Sequence, residues 1–406
     1  MRQSTTRPDL SSPLGFAVVI DPAQHCLPDP MGLTHAQWVD ACAHLPGGRV
    51  EASVAYKKLM RDADSSLLPE PYRNRSPWLP VVGEQRSMGP EAEGETVKVL
   101  TEVPARAEGV SHAEKRAYEE GRMLPVESVV IPMLGSTGKL THTLCVSSQV
   151  GCAMGCEFCE TAQMGLVRNL TAAEIVAQWH TAQFTHCRNT GKTIKNIVFM
   201  GMGEPLDNLD NVLQAISVLT DNNGPGISPR GVTVSTVGRV DGLRRLREQC
   251  LKTGWRRLGI AISVNAPNDR VRDAIMPVNR KWNMAQLQEV LIDFPRSGNV
   301  PIMIEYVLIP GVNDADQHAD ELVEFVRPLH CAVNIIPYNP RRDSPWPAPE
   351  EADVERFANR VKSAGVFTKR RRTKGRDQMA ACGQLGTQHI RGRKMIELTT
   401  GETDQA

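Results

Sequence analysis

From about Pro125 onward the chain alternates between two hydrophobic periods. Short β-branched or apolar runs at Thr141–Ser148, Asn196–Met200, Val232–Thr236, Leu258–Val264, Pro301–Ile309 and Cys331–Pro337 read as strands. Between and after them lie stretches with the apolar spacing of amphipathic helices, near Ala172–Phe184, Asn208–Thr220, Val240–Lys252, Met284–Phe294, Ala315–Val326 and Glu351–Ser363. Strand then helix, repeated six times, is the pattern of parallel strands joined by crossover helices. The fold class expected is α/β: a partial (β/α)6 barrel, short of the eight units that close a full one.

Residues 1–120 lack this regularity. They are loop-rich, with proline-bearing stretches such as LLPEPYRNRSPWLP (Leu67–Pro80), and form an N-terminal accessory region without legible chemistry. Residues 121–365 make the barrel, and 366–406 a basic C-terminal segment. No internal repeat and no low-complexity tract interrupts the chain.

Composition narrows the class. A chain of 406 residues with 41% hydrophobic content can bury a sizeable core. No stretch approaches the roughly 18 consecutive apolar residues of a membrane span, and MRQSTTRPDL lacks a signal peptide's pattern, so no membrane association and a cytoplasmic location are expected. The formal net charge of +1 hides a local imbalance. Between Val366 and Lys394 stand Lys369, Arg370, Arg371, Arg372, Lys374, Arg376, Arg391, Arg393 and Lys394, against the single acid Asp377. Such a run is either a solvated edge or a polyanion contact. Ten cysteines are too few for a disulfide scaffold of this length, which favours metal or catalytic use in a reducing compartment.

In a barrel of parallel strands, chemistry gathers at the strands' C-terminal ends. The first strand is followed by CAMGCEFC, which places Cys152, Cys156 and Cys159 in a C-x3-C-x2-C pattern. Three thiolates in one loop can hold three corners of a [4Fe–4S] cube and leave one iron open to the amino and carboxylate groups of S-adenosylmethionine. Structural zinc and unligated thiols are the alternatives, zinc handicapped because Cys145 is poorly spaced as a fourth ligand. After the second strand comes GMGEP (Gly201–Pro205), a turn in which Gly203 lets backbone approach a ligand and Glu204 can accept from a cationic amino group. Ser235, Ser263, Asn265 and Asn339 end later strands and can reach ribose or carboxylate oxygens, or simply cap turns. Cys26, Cys42, Cys187, Cys250 and Cys331 read as buried, inert thiols.

From Pro125 to Leu385 the chain resembles the RlmN/Cfr family of radical S-adenosylmethionine RNA methyltransferases. The residues carrying the likeness are VESVVIP, CVSSQVGCAMGCEFCETAQMGLVRNL, GMGEPLDNLDNV, VTVSTVG, AISVNAPNDRVRDAIMPVN, IEYVLIPGVND, NIIPYNP and ACGQL. The resemblance implies cluster ligation by Cys152, Cys156 and Cys159, and S-adenosylmethionine contacts at Gly203, Glu204, Ser235, Ser263, Val264, Asn265 and Asn339. It implies a methyl-carrying cysteine at Cys382, a second catalytic cysteine at Cys145 and a proton-accepting glutamate at Glu127. Asn265 and Tyr338 stand where the family commonly has His and Trp, and residues 1 to about 110 do not resemble the family's small helical N-terminal domain.

The chemistry implied suits an unreactive target. An aromatic adenine carbon is too weak a nucleophile to take a methyl cation, so a radical route is required. One S-adenosylmethionine would methylate Cys382; a radical from a second would remove hydrogen from that methyl, and the carbon radical would add to the base as a covalent protein–RNA adduct. Cys145 would resolve the adduct, ending as a disulfide with Cys382. The segment CETAQMGLVRNL resembles the RlmN branch, which implies methylation at C2 of an adenosine in 23S rRNA, and in tRNA as a further substrate, with a one-electron reductant of flavodoxin type as partner. The base would have to be splayed out of its fold, with the basic run before Cys382 positioning the RNA. Two other readings stand beside this: methylation at C8 or of another RNA, and a non-catalytic RNA-binding paralogue in ribosome assembly.

Overall fold

The computed structural model of the chain describes residues 27–75, 78–89, 94–109, 111–134, 138–188, 191–295, 300–371, 379 and 381–386. Two helices come first, α1 (His35–Ala41) and α2 (Gly48–Asp62), the former opened by a capping box between Thr34 and Gln37. Three antiparallel strands follow, β1 (Val81–Met88), β2 (Glu95–Pro104) and β3 (Met123–Leu134), with α3 (His112–Glu119) before the third. Next are β4 (Leu140–Cys145), the hairpin pair β5 (Gln149–Gly151) and β6 (Leu166–Asn169) around the short α4 (Glu160–Gln163), and α5 (Ala172–Thr181).

The alternating array then runs β7 (Ile194–Phe199), α6 (Leu209–Leu219), β8 (Val232–Thr236), α7 (Val240–Thr253), β9 (Gly259–Ser263), α8 (Asp269–Ile275) and α9 (Met284–Ile292). It ends with β10 (Ile302–Leu308), α10 (Asp316–Val326), β11 (Cys331–Pro337), α11 (Glu351–Ser363) and β12 (Thr368–Arg370). The order in the main sheet is β1-β2-β3-β4-β7-β8-β9-β10-β11-β12, antiparallel as far as β4 and parallel beyond it. The six strands β4 and β7–β11 are the six expected, each within a few residues of its anticipated bounds. The partial (β/α)6 barrel is therefore present, and β4 belongs both to it and to the antiparallel extension.

Residues 27–120 hold more regular structure than their weak periodicity suggests. The strands β1 and β2 were hidden because they bury only part of their length, and α2 because its polar residues outnumber its core contacts, Ala52, Ala55, Tyr56, Leu59 and Met60. Trp38, Tyr56 and Trp78 are nearly fully buried against the barrel's helical layer. No helix among the described residues is long and apolar enough to cross a membrane.

One buried guanidinium joins the extension to the barrel. Arg168 on β6 is 2% exposed and meets the Glu174 carboxylate bidentately at 2.7 and 2.9 Å, in the first turn of α5. It also donates to the Pro104 carbonyl at 2.9 Å, ending β2, and lies 3.4 Å from Glu114 on α3. Burial alone would raise Glu174, but Arg168 and the Thr171 N–H outweigh it and hold the carboxyl below 4.5. A depressed carboxylate stabilises the fold above its unfolded value, so this contribution is full at neutral pH and is lost as the pH falls below about 4.5. Arg168→Ala leaves the buried Glu114 without its cation and Glu174 with only the exposed Arg106, and should cost about 3–5 kcal/mol in chemical denaturation at pH 7.

Candidate active site at the strand ends

The barrel strands alternate in burial because their two faces meet different surroundings. In β8, Val232 and Val234 are fully buried in the main core, whereas Thr233 and Ser235 are partly exposed and face the cavities within the sheet's curve. On β10, Ile304 and Tyr306 join that core while Glu305 and Val307 line the site. The polar side chains of one face thus converge on a cavity of about 1050 Å³, counted out to its open mouth.

Cys152, Cys156 and Cys159 line this cavity. Their loop is held by short backbone bonds: Cys152 N donates to Gly165 O at 3.0 Å, Glu157 N to Ile275 O at 3.1 Å, and Cys159 N to Cys156 O at 3.1 Å. Burial pushes the Cys152 thiol up to about 12 and raises Cys156 and Cys159, Cys156 further through its two neighbours. Among the described residues no three His, Cys, Asp or Glu side chains gather closely enough to hold a single ion. A mononuclear zinc site would need its sulfurs within about 4 Å of one another, given Zn–S bonds near 2.3 Å. A cube spaces its thiolates more widely because each binds a different iron. Three thiols lining one cavity, Cys152 and Cys156 buried and Cys159 half-buried, form a donor set that fits a [4Fe–4S] cluster.

Beside them, Gly203 has φ +100°, and a Cβ there would stand 2.5 Å from the Cβ of Gln149. Only glycine fits this turn. Glu204 is buried; its oxygens accept from the N–H groups of Leu206 at 3.0 Å and Val237 at 2.9 Å. Burial raises the Glu204 carboxyl, and those N–H bonds oppose the rise. A cationic amino group arriving in the cavity would offset the same burial, as the S-adenosylmethionine contact requires.

Ser235, Ser263, Asn265 and Asn339 also line the cavity, so six of the seven expected cofactor contacts share one wall. Val264 does not: it is fully buried in the main core, leaving only its backbone near the site. Asn265 adopts φ +54°, a region in which Asn and His are enriched. Its Oδ1 accepts from Val307 N at 2.9 Å, so this side chain ties β9 to β10. Arg272, missed in the sequence, gathers the same loops by donating to Val264 O at 3.1 Å and Val237 O at 2.5 Å.

Cys382 lines the cavity from the other side, on a loop of residues 381–386. Glu160 N donates to Gly383 O at 2.7 Å, Thr161 Oγ1 to Leu385 O at 2.6 Å, and Gln384 Nε2 to Pro340 O at 3.0 Å. Cys145, ending β4, is buried beneath it with Leu385 and Met202. Burial pushes the Cys145 thiol up to about 12, the neighbouring Cys382 adds to this, and Arg371 opposes it. Glu127 is buried on β3, its carboxyl raised by burial against the pull of Lys98 and the Gly386 N–H.

The chain matches the Radical SAM superfamily over residues 146–325. It is 41% identical over 271 residues to the probable dual-specificity RNA methyltransferase RlmN 1 of Protochlamydia amoebophila, covering 67% of this chain and 72% of that protein. It is 40% identical over 267 residues to the dual-specificity RNA methyltransferase RlmN of Lawsonia intracellularis, covering 65% and 73%. The chain belongs to the RlmN/Cfr family. The crystal structure of a radical SAM methyltransferase from Sphaerobacter thermophilus matches with a TM-score of 0.72 and 33% identity, over 87% of this chain and 98% of that one. Membership of this radical SAM family implies a [4Fe–4S] cluster and S-adenosylmethionine as cofactors.

Two polar groups inside the RlmN/Cfr-family barrel were not picked out from the sequence. Glu305 is buried in mid-strand, accepts from Asn334 Nδ2 at 2.8 Å and is raised by burial against the pull of Arg371. Its signal was a single acid within the apolar run IMIEYVL. Arg371, counted in the basic run, turns inward instead: its N–H donates to Ile335 O at 2.9 Å, and its guanidinium lines the cavity. Cys382, Glu305 and Cys145 together hold it above its ordinary value. Of the run's other described cations, Arg370 pairs with Glu351 and Lys369 is exposed; Arg372, Lys374, Arg376, Arg391, Arg393 and Lys394 lie outside the described residues. Cys42, Cys187 and Cys250 sit in the core and Cys331 packs against it, while Cys26 lies outside the described residues.

Gly203→Ala forces a methyl group into Gln149 at a left-handed position. It should destabilise the fold by about 1–3 kcal/mol in thermal unfolding and weaken S-adenosylmethionine binding by at least about tenfold in equilibrium dialysis.

Proposed function

We propose that this chain methylates C2 of an adenosine in 23S rRNA, and of adenosine in tRNA, through a methyl group carried on Cys382. One observation carries the reading: Cys382 lines the same cavity as Cys152, Cys156, Cys159 and Glu204, and stands close enough to Cys145 to add to the rise of that buried thiol. A thiol in that position can take a methyl group from S-adenosylmethionine and present it to a base entering from the mouth. The cluster, held by Cys152, Cys156 and Cys159, would supply the electron that splits the sulfonium bond of a second S-adenosylmethionine, drawn from a reductant of flavodoxin type.

The chain's own residues have distinct tasks. Glu204 accepts from the cofactor's amino group, while Gly203, Ser235, Ser263, the Val264 backbone, Asn265 and Asn339 position its remaining polar atoms. Glu127, its carboxyl raised by burial, takes the proton that the ring carbon gives up. Once the adduct radical has passed one electron to the oxidised form of the reductant and its ring proton to Glu127, Cys145 would attack the sulfur of Cys382. The sulfur–sulfur bond would form as the sulfur–carbon bond breaks, and the released carbon would take up a proton to become the methyl group. The resulting disulfide must be reduced before another turnover. Arg371 lies beside both thiols and opposes the rise that burial imposes on Cys145.

Reconstituted protein given S-adenosylmethionine, a reductant and either RNA should yield 2-methyladenosine on digestion and mass spectrometry. Cys382→Ala should lower that product to background while RNA affinity stays within about twofold, since the change removes a reacting atom and little surface. Product at C8 alone, or methylation unaffected by the substitution, would overturn the reading.

A further inference from the structure

The pairing register places a buried lysine in the same row as the two reactive groups of the extension. Lys98 on β2 lies opposite Val129 on β3, which lies opposite Cys145 on β4, and Glu127 is two residues along β3 from Val129. Opposed and alternate residues share a sheet face, so Lys98, Glu127 and Cys145 all look toward the loop that carries Cys382. Lys98 is 7% exposed and Glu127 3%. Their charged atoms stand 3.8 Å apart.

Each partner also holds one end of that loop. Lys98 Nζ donates to the Met379 carbonyl at 3.4 Å, and Glu127 Oε2 accepts from the Gly386 N–H at 3.1 Å. Cys382 lies between these two attachments. Burying an ion pair costs more than burying apolar side chains of similar volume, yet this strand carries Lys98 between the buried Val97 and Val99. The charged groups facing the pair from other elements are Arg342 and Glu160. Neither of them replaces the bond to Met379.

We propose that Lys98 and Glu127 form a latch that grips both ends of the Cys382 loop, making Lys98 a positioning residue for the methyl-carrying thiol. The latch rests on the reading of Cys382 given above. Among the described residues the Lys98 ammonium meets the Met379 carbonyl and the Glu127 carboxylate; it acts by keeping Cys382 between Cys145 and the cofactor cavity. The ion pair also makes the two grips interdependent, because each charge keeps the other oriented toward the loop.

The test compares Lys98→Met and Lys98→Arg with the unsubstituted full chain, reconstituted with its cluster. Hydrogen exchange of the amides at 381–386 should accelerate by about tenfold in Lys98→Met, as the loss of one charge-assisted bond implies, and return most of the way in Lys98→Arg. The kcat for RNA methylation should fall by a similar factor with KM for RNA unchanged. Loop exchange in folded Lys98→Met equal to that of the unsubstituted chain would overturn the latch. Should Lys98→Met not fold, Glu127→Gln retains an acceptor for Gly386 and removes the charge; unaltered exchange at 381–386 in that variant would overturn it equally. Loss of the methyl-carrier reading has a separate signature, an active Cys382→Ala enzyme, and leaves the exchange result standing.

Discussion

The C-terminal loop 381–386 is seated over the strand ends by hydrogen bonds to elements distant from it in sequence. Thr161 and Glu127 reach Leu385 and Gly386 across 224 and 259 residues. Each such bond contributes only about 0.5–1.5 kcal/mol net, and none is an element of regular structure. Together with Glu160 N and Gln384 they fix the position of one side chain, Cys382, against a cavity that the barrel builds independently. The barrel alone provides thiols for a cluster and a pocket for a cofactor. The loop adds the Cys382 thiol, the proposed methyl carrier, and β4 beneath it adds a second thiol.

The remaining architecture makes that seat possible. Valine and isoleucine on the outer face of the parallel strands pack under the helices, which frees the inner face to carry Ser235, Ser263, Glu305 and Asn334. The antiparallel strands β2 and β3 continue the same sheet past β4, so Glu127 and Lys98 arrive beside Cys145 by register. Arg168 secures the junction of extension and barrel, and Arg272 binds the loops after β8 and β9 together. Buried charge is concentrated at these seams because a guanidinium with several fixed donors can satisfy several loop carbonyls at once.

The barrel was legible because its signals are local. Alternation of β-branched and amphipathic stretches located six strands, and the rule that sites collect at strand ends led to Gly203, Glu204 and the three cysteines. Cys145 and Cys382 had no local signal; only likeness to a family singled them out, and in the fold they meet through tertiary packing. Lys98 and Arg371 were illegible for a related reason. A lysine between valines reads as an outward position, and an arginine in a basic run reads as solvated, until pairing register turns each toward the site. Val264, adjacent to two lining residues, turns its side chain to the opposite face and leaves only its backbone near the site.

The central claim is that Cys382 carries the transferred carbon. Mass spectrometry of tryptic peptides from protein purified anaerobically with its cluster tests this directly. The account predicts the mass of one added methyl group on the peptide containing Cys382 and none on that containing Cys145. Unmodified Cys382 in protein that methylates RNA over repeated turnovers would contradict it.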